Sequence, residues 1–170
     1  MKAHSHPPVI PSESKIAGDL LKSSKLRRFW ELFRPFFFLI TFIFVANTIG
    51  LFWSLPLLIA VFIANICAAH DVVHNALKMS KRSRHILLFI YGLIVMQSGH
   101  AFRVTHLSHH ALFPSPDDPE GEAAGKNLFQ AILMGPLYVP RLWIWALNRM
   151  RMQANEVTWM LIEASISAMI

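Results

Sequence analysis

Seven of the nine histidines in this 170-residue chain fall within residues 70–110, and five of them form two patterns that could hold a metal ion. His70-Asp71-Val72-Val73-His74 is HxxxH, and His106-Leu107-Ser108-His109-His110 is HxxHH. On an α-helix, positions i, i+3 and i+4 lie on one face, so each stretch presents its imidazoles together. HxxxH alone is a weak signal in so histidine-rich a chain. HxxHH is stronger, because three crowded imidazoles repel when protonated and are hard to satisfy without a metal or water. An all-imidazole set suits iron, zinc, copper or nickel and argues against magnesium or calcium, which prefer oxygen. Ligand nitrogens must be neutral, so metal affinity is expected to weaken as pH falls through roughly 6.5. The single cysteine, Cys67, excludes a disulfide framework, a cysteine zinc cluster and a Cys-ligated iron-sulfur centre.

The elements that must position these histidines are membrane elements. The composition is 54% hydrophobic and only 15% charged, which fits a water-soluble domain poorly. No Asp, Glu, Lys or Arg occurs from Pro35 to His70. Lys22, Lys25, Arg27, Arg28 and Arg34 precede that run, and Lys78, Lys81, Arg82 and Arg84 follow it. The positive-inside rule therefore places both ends in the cytoplasm. The net charge of +6 does not signal nucleic acid, because the basic residues flank apolar runs and are not interleaved with aromatics on a polar surface. A secretory signal peptide does not fit, since the apolar stretch is longer than the usual core of about 7 to 15 residues.

The expected fold class is an all-α integral membrane protein: a transmembrane helical hairpin with cytoplasmic-side, His-bearing helices and interfacial helices. Residues 1–34 read as a basic cytoplasmic tail and 35–170 as the membrane domain. Segments 35–53 and 55–74 are each long enough to cross, with an uncharged turn at Trp53, Ser54 and Pro56. Ile86 to Gly99 would reach only about 21 Å as a helix, against roughly 30 Å for the hydrocarbon core. It is expected not to cross, which keeps both histidine boxes on the cytoplasmic side. Residues 111–127 read as a loop, and 128–147, interrupted by Gly135, Pro136 and Pro140, as an interfacial stretch. The last apolar run, from Val157, stops at Ile170 with Glu163 inside it, and reads as incomplete.

HDVVH at the end of a second apolar helix, then FRVTHLSHH, then a Pro-Asp-Asp-Pro-Glu loop, resembles the membrane fatty acid desaturase superfamily, which includes carotenoid hydroxylases and ketolases. The likeness covers roughly residues 35 to 125. It implies that His70, His74, His106, His109 and His110 are ligands of a centre of two iron ions with O₂ as co-substrate. It also implies a membrane lipid substrate, and an electron donor such as a ferredoxin or a cytochrome b5-type protein. Fatty acyl desaturation is the leading activity, with carotenoid hydroxylation or ketolation as the alternative. Such families carry a third histidine box, and no histidine follows His110, so the chain resembles the front portion of such an enzyme.

Other readings compete. HDVVH is one methylene from the HExxH of zinc proteases, but the shorter acid and the additional HxxHH weigh against a protease. A non-enzymatic metal-binding or transport protein is the third class; against it, residues 35–69 contain no titratable side chain but Cys67. Asp71 could orient a ligand histidine through a hydrogen bond, or be an ordinary helix-face carboxylate. His100 lies about 120° around the helix from His106 and could be an extra ligand or a supporting residue. His85 reads as a headgroup residue, Arg103 as an interfacial arginine or a partner of Asp117 or Asp118, and those two acids as turn formers. Asn47 and Asn65 read as helix-to-helix hydrogen-bonding residues.

Overall fold

The computed structural model describes residues 24–121, 125–150 and 154–169. Most of the expected N-terminal tail lies outside them. The described residues form six α-helices and no strand: α1 (Lys25–Thr48), α2 (Leu51–Val73), α3 (Lys81–Ile94), α4 (Gly99–Leu112), α5 (Leu128–Met150) and α6 (Ala154–Ser167). The all-α membrane architecture read from composition is the one observed.

Helix α1 begins ten residues before the expected span, because Ser24 caps it by accepting from the Arg27 N–H at 3.1 Å. At 24 and 23 residues, α1 and α2 reach about 36 and 34 Å at 1.5 Å per residue, enough to cross a core of roughly 30 Å. They are the two described helices long and apolar enough to do so singly. The turn between them is a correction: it falls at Ile49–Gly50, while Trp53, Ser54 and Pro56 sit inside α2. Gly50 adopts φ +121°, a conformation that side-chain-bearing residues rarely tolerate. Pro56 is the sixth residue of α2, and the helix continues through it at the cost of one backbone hydrogen bond.

The hairpin turns its bulky residues outward. Ile40, Ile43, Phe44, Ile59, Phe62 and Ile63 are exposed, as lipid-facing side chains should be. Its inner end packs through small residues, with Ala68, Ala69, Val72 and Val73 of α2 against Leu88 and Tyr91 of α3. Small residues let helix backbones approach closely. Two hydrogen bonds tie the three helices: Tyr91 donates its hydroxyl to the Leu32 carbonyl, and Asn65 Nδ2 donates to the Tyr91 carbonyl, both at 2.9 Å. Asn65 is thus the interhelical residue expected, whereas Asn47 donates to Ile43 of its own helix.

Helices α3 and α4 meet at 105° across a four-residue break, and the pair counts as a third span only if taken as one broken crossing. The break needs glycine. A β-carbon on Gly99 would collide with the Leu88 carbonyl, and one on Gly92 with the Gln97 carbonyl. Helix α3 is also fourteen residues long but runs over Lys81–Ile94, so the expected segment Ile86–Gly99 is displaced: the helix takes in the basic residues before it and ends before the break at 95–98. Helix α5 is a second correction: it runs unbroken through Gly135, Pro136 and Pro140, where an interrupted stretch was expected. Helix α6 returns to pack Met160 beside Ala101 and Ala146.

Candidate metal centre

The first histidine pair sits where α2 ends. His70 occupies its last turn and His74 is its C-cap, with the His74 N–H bonded to the His70 carbonyl. The second box lies on α4, which Ser98 caps by accepting from the Ala101 N–H at 2.9 Å. The sharp α3–α4 bend turns α4 back across the end of α2 and brings the two boxes together.

His70, His74, His106 and His110 offer one ring nitrogen each, and these four atoms all lie within 4.8 Å of one another. Ring centroids are 4.6 Å apart for His70–His74, 5.0 Å for His70–His106, 4.8 Å for His74–His110 and 4.7 Å for His106–His110. Four imidazole nitrogens gathered this closely form an all-nitrogen donor set. The donor chemistry therefore fits a borderline transition metal. Partial burial, then repulsion from His70, His106 and His110, holds His74 below the ordinary histidine pKa. That keeps its nitrogen available as a ligand at neutral pH.

Two acids behind the cluster fix ring orientation, and the sequence reading missed this role in both. His106 places Nδ1 3.1 Å from Glu120 Oε2 while its Nε2 is 3.1 Å from His110 Nε2. His109 places Nδ1 2.7 Å from Asp118 Oδ2. A histidine giving one N–H to a carboxylate offers the other nitrogen to a metal, in a fixed tautomer and orientation. Asp118 is itself buried, and its Oδ1 accepts from the Glu120 N–H at 2.9 Å. Burial pushes its carboxyl up, but hydrogen bonds from the Glu120 N–H, His109 and the Gly121 N–H outweigh that and hold it below the usual carboxylate range. The acidic loop after the second box is thus a clamp as well as a turn.

The structure separates the remaining sequence candidates. His109 stands beside the four-nitrogen cluster, its ring centroid 5.6 Å from that of His110, and is not one of the four. Asp71 lies 3.6 Å from His70 Nδ1, adjacent but beyond hydrogen-bond length. His100 is bonded outside the cluster. Fully buried, it uses Nδ1 toward Glu163 at 2.8 Å and Nε2 toward His85 at 2.9 Å. Arg103 pairs with Glu156 at 2.7 Å, a partner on α6 that sequence spacing could not indicate.

Behind the cluster opens a cavity of about 260 Å³ lined by Phe62, Ile66, Val95, Phe102 and Leu142, with Asn65 and Glu120 as polar points. Phe102 stacks on His106 with ring planes 20° apart, so the apolar wall reaches the metal-facing imidazoles. Asn65 Oδ1 and Glu120 Oε1 are buried there without a hydrogen-bond partner.

Comparison with known proteins gives one match. The family model described as fatty acid desaturase covers residues 47–164, more than half of the chain, and spans both histidine boxes, the acidic loop and most of α6. No curated protein and no solved structure matches. With its apolar hairpin, its gathered histidines and this match, the chain belongs to the fatty acid desaturase family, a family of membrane oxidoreductases.

Proposed function

We propose that this chain carries histidine boxes of an O₂-dependent di-iron oxidoreductase that acts on a membrane lipid, by fatty acyl desaturation. The observation that carries the reading is the four-imidazole cluster, joined through Phe102 and Glu120, which both touch His106, to a largely apolar cavity lined by α2, α3, α4 and α5. His70, His74, His106 and His110 would hold iron, with His109 as a further ligand through the nitrogen that Asp118 leaves free. Asp71 and His100 take no part as ligands in this reading. Bound iron would supply the activation of O₂ needed to take hydrogen from an unactivated methylene, and electrons would come from a ferredoxin or cytochrome b5-type donor.

The chain's own residues have three tasks. Glu120 and Asp118 hold His106 and His109 in the ligating tautomer. Phe62, Ile66, Phe102 and Leu142 form an apolar surface against which an acyl chain can lie without loss of hydration energy. The exposed aliphatic and aromatic side chains of α1 and α2 keep the cavity at bilayer depth, where the substrate is concentrated. The basic residues on either side of the hairpin favour a cytoplasmic position for both boxes. The test is anaerobic loading with ferrous iron, reconstitution with a reductant and lipid, and mass spectrometry of the product. Loss of two hydrogens from an acyl chain supports desaturation. Gain of one oxygen would indicate hydroxylation, and an unchanged lipid with O₂ consumption abolished in no histidine variant would sink the proposal.

A further inference from the structure

Helices α3, α4 and α6 enclose a second polar arrangement that the proposed oxidation does not use. Glu163 on α6, fully buried, accepts from the Ser98 hydroxyl with one oxygen and faces His100 Nδ1 at 2.8 Å with the other. His100 Nε2 is 2.9 Å from His85 Nδ1. Trp159 lies nearly parallel to His100, 5° between planes with centroids 5.2 Å apart. The hydrogen-bond chain dictates the protons. Since Glu163 accepts, His100 donates from Nδ1, and its Nε2 shares one proton with His85 Nδ1. The open end of the chain is His85 Nε2.

His85 lines a cavity of about 170 Å³ together with Lys81, Arg84, Arg103 and Glu156. Glu156 neutralises Arg103 at 2.7 Å. Lys81 and Arg84 have no carboxylate partner among the described residues, and Arg84 Nε is buried without an acceptor. The space holds roughly five or six water-sized groups, which is the size of one tetrahedral oxyanion and too small for an acyl chain. We propose that this pocket binds a phosphate-type oxyanion through Lys81 and Arg84, with protonated His85 as the third donor, while Arg103 stays paired with Glu156. Guanidinium and ammonium groups around a phosphate make charge-assisted hydrogen bonds, and a net positive lining favours the anion.

The groups facing His85 are Lys81 and Arg84 on its own helix, His100 and Arg103 on α4, and Glu156 on α6. Burial, then His100, Arg103 and Lys81, lower its pKa, with Glu156 opposing. It is therefore neutral in the empty pocket at pH 7. An anion placed among the same cations reverses the balance, so occupancy draws a proton onto Nε2. The basic run after α2 puts the pocket at headgroup level, where the phosphate could belong to a lipid or be free.

The test uses the full chain in maltoside micelles, which contain no phosphate. Inorganic phosphate is followed by equilibrium dialysis, and phosphatidylglycerol by native mass spectrometry. At least one probe should bind saturably, one per chain. Arg84→Gln should weaken it about tenfold or more, while Arg82→Gln, exposed on the same helix and outside the pocket, leaves it within about twofold. Lys81→Gln serves as the second variant if Arg84→Gln does not fold. Binding of the lipid alone assigns a headgroup and binding of phosphate alone a free anion; either supports the pocket. No saturable binding of either probe, or equal loss in the Arg82 and Arg84 variants, overturns it. His85→Gln should remove the part of the binding that strengthens as pH falls below neutrality. A wild-type pH profile identical to that of His85→Gln would remove His85 from the site.

Discussion

Glu163 offers a direct measure of how much α6 contributes to holding the α3–α4 bend. Its carboxylate is fully buried and satisfies two groups on α4: the Ser98 hydroxyl and the His100 ring. Glu163→Ala leaves both without a partner in a dry site. Each orphaned buried polar group costs about 1–3 kcal/mol, giving roughly 2–6 kcal/mol of lost stability. Glu163→Gln keeps the shape, accepts from His100 with its oxygen and donates to the Ser98 oxygen with its amide. It loses only the charge assistance, about 1 kcal/mol for each of the two bonds. Thermal unfolding in detergent, read from helical circular dichroism, should therefore show Glu163→Ala shifted further than Glu163→Gln, by up to about threefold. Ser98→Ala combined with Glu163→Ala should cost less than the sum of the two, since the partners are shared. Equal and small shifts for Ala and Gln would refute the reasoning, because a carboxylate that can be deleted at no cost is not the tie described.

Glu120→Gln keeps a side chain beside His106 but removes the carboxylate that fixes its tautomer, and should weaken metal affinity about 10–100-fold, measured by competition with a chelator of known affinity. Gly99→Ala forces a methyl group against the Leu88 carbonyl and should destabilise the chain by about 1–3 kcal/mol, seen as a lower unfolding midpoint. Asp118 has a depressed pKa, so its contribution is complete above its ordinary value near 3.8 and is lost as pH falls through its lower folded value. Asp118→Asn should accordingly lower the unfolding midpoint at neutral pH, and by less once the pH drops below that range.

The sequence disclosed the parts of this molecule that depend on local pattern. Residues 35 to 70 carry no charge, which demands a membrane hairpin, and the i, i+4 spacing of His70–His74 and His106–His110 gives two faces that meet in the cluster. Helix ends were less legible. Gly50 and Pro56 both break helices on average, and the chain turns at the glycine, which takes φ +121°, and runs through the proline. Pro136 and Pro140 misled for the same reason. Long-range partners were not legible at all. Glu163 looked like a misplaced charge in an apolar run, because its partners Ser98 and His100 lie more than sixty residues away. Glu120 and Asp118 had a local clue: four acids packed just after HxxHH, close enough for the loop to fold back on its own helix.

The account rests on metal held by His70, His74, His106 and His110, and metal content measures that most directly. The chain, purified after growth in iron-supplemented medium and again after reloading with ferrous iron, should contain tightly held metal by elemental analysis. His106→Ala and His74→Ala should lose it, while His4→Ala retains it, with all three variants compared at matched helical content. Wild-type chain without metal under both conditions, or equal metal in His106→Ala and His4→Ala, would contradict the central claim.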